Sequence, residues 1–349
     1  MRYHTRLALL ISLMLVGCSD DDNSATDGPS PADMKPGGEG LVDSSVDLPP
    51  DGPPPKGVFS EVTAFGANPG NLRMFKYVPG AMPKSPAPLV VALHGCEMTA
   101  DQHAKATGWN DLADVRRVYV VYPEQAAANN PSTCFNWFQT SDYAHGQGES
   151  QSIVQMVEQM KKDHAIDAQR IYVTGLSAGA AMAVDLGAVY PDLFVGVAAM
   201  AGIPYGCATD VTSGLSCMKG KDQTPEQWGD AARNARPGYS GPYPRMAVYH
   251  GDKDGMISYS ILQEIMEQWV NLHGTDAQPE VDDAISGHTH RVYHDKSGQP
   301  VVETFLIKGM GHGIPVDLGN GPKQGGAVSL FSFNVKLWSS YYIAEFWGL

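Results

Sequence analysis

From about Val58 to the end of the chain, short apolar runs rich in β-branched residues alternate with stretches of helical periodicity. That alternation limits the fold more than any other feature, because strands interleaved with helices build a mostly parallel sheet covered on both faces. Leu89-Val90-Val91-Ala92-Leu93 is nearly continuous in apolar residues, as expected of a strand buried on both sides, and Val118-Tyr119-Val120-Val121-Tyr122 is another. Ile153, Met156, Val157 and Met160 recur at helical spacing before the strand pattern Arg170–Thr174. Ala178 to about Tyr190 reads as a helix stopped by Pro191. Further strands are expected over 194–200, 246–249 and 301–307, and a helix over 257–272. The fold class is therefore α/β. In such a sheet ligands bind beyond the carboxyl ends of the strands, so the residues directly after each strand are the ones to search.

The 57 residues before this region divide in two. Arg2 and Arg6 precede the apolar run Leu7–Gly17, the layout of an export signal. Its end, Leu15-Val16-Gly17-Cys18, resembles the lipobox of bacterial lipoproteins. The resemblance implies cleavage after residue 17 and lipidation of Cys18, hence an exported protein anchored to a membrane by several acyl chains. Residues 18–57 hold nine acidic residues, two lysines and eight prolines, with no aromatic residue. Such a segment buries too little surface to offset its ordering entropy and reads as an extended tether, with a reach of roughly 130 Å at most. The expected organisation is a signal over 1–17, a tether over 18–57 and one catalytic domain over 58–349. No apolar run reaches the roughly 18 residues of a membrane span. With 38 acidic against 24 basic residues, a net charge of -14, the chain lacks the clustered cations that a nucleic-acid partner needs.

Gly175-Leu176-Ser177-Ala178-Gly179 lies between the strand at 170–174 and the helix from 178. This is the G-x-S-x-G elbow in its strand–turn–helix setting: a sharp turn exposes the serine, and the helix N-terminus faces developing negative charge. Side chains at 175 or 179 would crowd neighbouring elements. Ser177 is the candidate nucleophile. Its partners should follow as acid and then histidine. The strand Met246–Tyr249 runs into His250-Gly251-Asp252-Lys253-Asp254, which makes Asp254 the first choice of acid and Asp252 the reserve. Gly309-Met310-Gly311-His312-Gly313 follows the last strand and supplies the candidate base, His312. His250 reads as a structural strand-end residue. His288 and His290, near Asp282 and Asp283, form an H-x-H pair that raises the question of a metal. No third ligand is marked by spacing, and a solvated loop is expected there.

Leu93-His94-Gly95-Cys96 follows the most apolar strand, where folds of this type place one oxyanion donor. The backbone N–H groups of Cys96 and Ala178 are assigned to it, with His94 serving the loop. In an exported protein the four cysteines 96, 134, 207 and 217 suggest two disulfides, and Cys96–Cys134 with Cys207–Cys217 is the favoured pairing. The first would fix the oxyanion loop to the segment Phe135–Phe138.

Taken together, His94-Gly95-Cys96, Gly108-Trp109-Asn110, Tyr122-Pro123-Glu124-Gln125, Cys134-Phe135-Asn136-Trp137-Phe138, Gly175–Met182, Pro204-Tyr205-Gly206-Cys207, Gly311-His312-Gly313 and Phe346-Trp347-Gly348-Leu349 resemble the poly(3-hydroxybutyrate) depolymerase family of esterases. The likeness spans nearly all of 58–349. It implies an α/β-hydrolase fold and a serine esterase with the triad Ser177, Asp254 and His312. It also implies the oxyanion donors Cys96 and Ala178, Trp137 lining the substrate groove, and neither metal nor cofactor. Relatives in the family include feruloyl and acetylxylan esterases. The expected substrates are short-chain hydroxyalkanoate esters, with hydroxycinnamate or acetyl esters on plant polysaccharide as the alternative. Secreted depolymerases often carry a polymer-binding domain after the catalytic one, and this chain stops at Leu349. Soluble oligomers or carbohydrate-linked esters are therefore expected over insoluble granules.

Overall fold

The computed structural model of the chain describes residues 54–349. The signal, the Cys18 lipidation site and the tether as far as residue 53 lie outside the described residues. Strands β1 (Val58–Val62) and β2 (Arg73–Val78) form an antiparallel pair. They are followed by β3 (Ala87–Leu93), α1 (Ala100–Thr107), α2 (Trp109–Arg116) and β4 (Tyr119–Glu124). A single turn, α3 (Thr140–Tyr143), and α4 (Gly148–Asp163) lead to β5 (Ile166–Leu176) and α5 (Ala178–Val189). Next come β6 (Gly196–Met200), α6 (Val211–Met218), α7 (Pro225–Ala235), β7 (Arg245–Gly251) and α8 (Ile261–His273). The strands β8 (Val281–Ile285), β9 (His288–His294) and β10 (Pro300–Ile307) follow. β11 (Ile314–Val316) and β12 (Ser332–Asn334) pair in a small second sheet, and α9 (Ser339–Trp347) closes the order.

The main sheet runs β1-β2-β4-β3-β5-β6-β7-β10-β9-β8. Its centre, from β4 to β10, is parallel, and its two ends are antiparallel. Every residue of β3 is buried, which accounts for its unbroken apolar run. Leu89, Val91 and Leu93 join the core that holds Ile153, Met156, Val157 and Met160 of α4 and Ile265 and Trp269 of α8. Val90 and Ala92 join the opposite core, with Trp109 of α2 and Trp347 of α9. Each of these Leu, Ile or Val side chains contributes about 1.5–3 kcal/mol on burial. All twelve residues of α5 are buried, so its alanines allow the helix to lie close to the sheet.

The two antiparallel ends were not apparent in the sequence pattern. The segment holding His288 and His290 is the strand β9, paired with β8 on one side and β10 on the other, and not a solvated loop. His290 is buried between Asp283 (2.7 Å) and Glu303 (3.0 Å), while His288 Nε2 meets the carbonyl of Val335. Burial works to lower the His290 pKa, but the hydrogen bonds to Glu303 and Asp283 prevail and hold it above the ordinary imidazole value. At the other end, Gly57 donates its N–H to Tyr77 Oη (2.8 Å) and Asp114 Oδ1 (3.1 Å), so the last residues of the expected tether run onto the fold.

Candidate active site

Five neighbouring parallel strands, β3, β5, β6, β7 and β10, end at one edge of the sheet. The sequence places the candidate residues directly after four of them. Ser177 links β5 to α5 with φ 55° and ψ −118°, a left-handed conformation that costs a non-glycine residue about 1–3 kcal/mol. Its N–H is held by the carbonyl of Met200 at the end of β6 (2.9 Å), and its own carbonyl accepts the first bond of α5 from Ala181. The flanking glycines are required by contact. A Cβ at Gly175 would run into the backbone of Gly179, and one at Gly179 into the carbonyl oxygens of Leu93 and His94. The elbow is thus pressed against the end of β3.

That strand end carries the loop expected to supply an oxyanion donor. His94 is fully buried. Its Nε2 accepts the N–H of Gln125 (3.0 Å), so Nδ1 carries the proton and donates to the carbonyl of Gly95 (2.7 Å). Burial lowers its pKa to about 4, keeping the ring neutral and this tautomer in place. Cys96 follows, disulfide-bonded to Cys134; Cys207 is bonded to Cys217, and both expected pairings are present. Among the described residues no acceptor holds the Cys96 N–H, and Ala178, the first residue of α5, has the unpaired N–H of a helix start.

The acid and the imidazole meet. His312 Nδ1 donates to Asp254 Oδ2 at 2.7 Å, leaving Nε2 as the ring's acceptor. Asp254 Oδ1 accepts the N–H groups of Met256 (2.8 Å) and Ile257 (2.9 Å), which fixes the carboxylate from behind. Asp252 does different work: its Oδ1 accepts the N–H of Gly309 (2.7 Å) and so ties the β7 turn to the loop that carries His312. Lys253 N–H to the Met310 carbonyl adds a second tie. A Cβ at Gly251 would run into that same carbonyl. Of the two candidate acids, Asp254 is the one whose carboxylate meets the His312 imidazole.

Sequence reading missed one partner. His250 is fully buried, and its Nε2 lies 3.2 Å from Asp254 Oδ2 and 3.1 Å from the carbonyl of Ile257. It is a second imidazole on the same carboxylate, and its position four residues before Asp254 was the only sequence signal for it. Burial alone would raise the Asp254 carboxyl; the bonds from His250 and His312 prevail and hold it well below the usual carboxylate range. Ser177 Oγ makes no side-chain hydrogen bond among the described residues, and the hydrogen bond that His312 makes there is the one to Asp254. Trp137 is 8% exposed. It meets Phe138 edge-on, with the face of α6 at Gly214 beside its ring. Among the described residues no group of three or more His, Cys, Asp or Glu is placed to hold a metal.

The family model described as Esterase PHB depolymerase matches residues 72–285, a stretch that includes Cys96, Ser177 and Asp254. Poly(3-hydroxyalkanoate) depolymerase C of Paucimonas lemoignei is 50% identical over 291 residues, covering 83% of this chain and 70% of that protein. The chain belongs to the PHB depolymerase family of esterases. Other relatives are less similar. Feruloyl esterase B of Talaromyces stipitatus is 34% identical, with 74% of this chain and 73% of that protein covered. Acetylxylan esterase of Coprinopsis cinerea is 36% identical over 76% of this chain and 72% of its own length. Among solved structures, an acetyl xylan esterase from Aspergillus awamori superposes with a TM-score of 0.68 at 30% identity, covering 73% of this chain and 94% of that one. The fold of this PHB depolymerase family member is thus the α/β-hydrolase fold, as the sequence suggested. Its match to the family ends at residue 285, so the imidazole at 312 rests on the geometry above and not on the family model.

Proposed function

We propose that the chain is a serine carboxylic-ester hydrolase in which Ser177, His312 and Asp254 act as the triad and the N–H groups of Cys96 and Ala178 form the oxyanion hole. The observation that carries this reading is the 2.7 Å bond from His312 to Asp254, set at the strand edge that also presents the strained Ser177. Ser177 Oγ adds to the ester carbonyl while its proton passes to His312 Nε2. The carbonyl electron pair moves onto oxygen, where the two N–H donors stabilise it; each such donor is worth about 3–4 kcal/mol. Collapse of the intermediate expels the alcohol, which takes the proton from His312. Water then repeats the sequence, releasing the acid and restoring Ser177.

The first substrate class is a short-chain hydroxyalkanoate ester or oligomer, supported by the 50% identity to a poly(3-hydroxyalkanoate) depolymerase. Feruloyl or acetyl esters on plant polysaccharide are the second, supported by the acetyl xylan esterase structure that shares the fold at 30% identity. Trp137 is assigned to the wall of the substrate groove, because its loop is bonded to the oxyanion loop through Cys134. The Leu15–Cys18 segment supports export and lipid anchoring through Cys18. Purified protein is expected to hydrolyse p-nitrophenyl butyrate, and Ser177→Ala to abolish it. Turnover that survives Ser177→Ala would overturn the serine mechanism. A panel of hydroxybutyrate oligomers, methyl ferulate and acetylated xylan ranks the two substrate classes. Cys18→Ala is expected to move the protein from the membrane to the soluble fraction; a variant still pelleting with membranes would contradict the anchor.

A further inference from the structure

We propose that Glu149 is the positioning residue of the oxyanion hole, acting as the fixed post from which the segment Ser132–Asn136 holds the loop His94–Glu97 in place. The inference rests on the serine-esterase reading above. Glu149 stands in the first turn of α4, a helix fastened to the core by Ile153, Met156, Val157 and Met160. Its side chain is buried at 1% exposure and has no cationic partner in the hydrogen bonds it makes. Three N–H groups converge on the carboxylate instead. Asn136 contributes its backbone N–H (2.8 Å) and its Nδ2 (2.8 Å), and Gln125 contributes its Nε2 (2.5 Å).

The orientations of both amides are set by groups that have no choice. Gln125 Oε1 accepts the backbone N–H of Ala126, and its Nε2 also donates to the carbonyl of Cys134. Asn130 Oδ1 accepts the backbone N–H of Ser132, so Asn130 Nδ2 is the donor to Asn136 Oδ1, and Asn136 Nδ2 is left facing Glu149. Glu149 therefore sees donors only. Both oxygens of a carboxyl group can accept, whether it is ionised or protonated, whereas the amide of a glutamine turns its NH2 hydrogens against one of the three N–H groups. Burial pushes the carboxyl up to about 8, with the donors from Asn136 and Gln125 working in the opposite direction. A buried carboxylate is costly, and a position that needed only packing would be served as well by an apolar residue.

The segment held by Glu149 reaches the oxyanion loop by two routes. Cys134 is covalently bonded to Cys96, and the carbonyl of Ser132 accepts the N–H of Glu97 (2.8 Å). A third route runs through Gln125, whose backbone N–H fixes His94 and through it the carbonyl of Gly95. All three converge on the peptide that presents the Cys96 N–H. Oxyanion donors act on the transition state more than on the bound ester, so a displaced donor lowers kcat while KM changes little.

The test compares wild type, Ser177→Ala, Glu149→Gln and Asn136→Ala with p-nitrophenyl butyrate, with folded protein counted by circular dichroism. A trifluoromethyl ketone is used as the tetrahedral-intermediate analogue. Glu149→Gln is expected to lower kcat at least tenfold with KM within threefold, and to weaken the ketone in proportion to kcat/KM. Wild-type kcat in a folded Glu149→Gln protein, or a purely KM effect, overturns the proposal. If Glu149→Gln does not fold, Asn136→Ala decides: it keeps the carboxylate on Gln125 but removes one of its ties to Asn136. A lower kcat at unchanged KM then supports the post, and an unchanged kcat overturns it. Activity surviving in Ser177→Ala would overturn the serine-esterase reading itself, a result distinct from either outcome at Glu149.

Discussion

Asp254, the proposed acid of the triad, shows how a buried carboxylate is kept ionised. Four donors surround it: two imidazoles, from His250 and His312, and two backbone N–H groups. The burial that would raise its pKa is outweighed by those bonds, and the group stays ionised to low pH. A carboxyl depressed on folding adds stability above its unfolded pKa and loses it as pH falls through the depressed value. The stability advantage of wild type over Asp254→Asn is therefore expected to persist into the acid range and to shrink only below about pH 4, as read by thermal melts across pH. At neutral pH the same variant should lose about 10³–10⁴-fold in kcat, because an amide favours the wrong tautomer of His312. Ser177, the flanking glycines and His312 were legible in the sequence because a short motif or a strand end announced them. The sequence ranked Asp254 ahead of Asp252, but the contacts that separate their roles depend on Gly309 and His312, more than fifty residues away. Glu149 was hidden for the same reason. Its three donors come from residues 125 and 136, and nothing in the local run Gly148-Glu149-Ser150 marks the carboxylate as buried.

Among the elements, the buried central strands were the easiest to read. β3 and β4 are apolar on both faces, and the run of hydrophobic residues is the direct imprint of that burial. The outer strands carry no such imprint. β8 exposes Asp282 and Asp283, and β9 alternates buried His288, His290 and Val292 with polar positions, so their composition resembled a loop. The start of α8 also moved: 257–260 form the turn that closes over Asp254, and the helix begins at Ile261. One close contact in the site is that of α5 on the end of β3, with Gly179 against the carbonyls of Leu93 and His94. Gly179→Ala forces those backbones apart. It is expected to cost about 1–3 kcal/mol in stability and to lower kcat with it, since the elbow and the oxyanion loop move together. Differential scanning calorimetry and p-nitrophenyl butyrate kinetics check the pair of effects. A variant with wild-type melting temperature and turnover would show that the contact is more yielding than its geometry implies.

For the molecule as a whole, two cores on opposite faces hold one twisted sheet, and the sheet delivers its strand ends to a common edge. The C-terminal helix α9 is built into this frame: the Trp347 ring lies on Trp109 and Tyr172, and the Trp347 carbonyl accepts from Arg245. That accounts for the aromatic motif at the end of the chain as structural and not catalytic. The α/β class was legible from the alternation of strands and helices, and the site's place at the strand ends followed from it. The antiparallel extensions were not, since pairing at a sheet edge is set by partners distant in sequence. In the proposed mechanism this frame makes the Ser177 hydroxyl reactive through His312. Labelling with a fluorophosphonate probe, followed by peptide mass spectrometry on wild type and His312→Ala, tests it most directly. A single adduct on the peptide containing Ser177, lost or strongly slowed in His312→Ala, is the predicted result. An adduct on another residue, or labelling of Ser177 at the same rate without the imidazole, would contradict it.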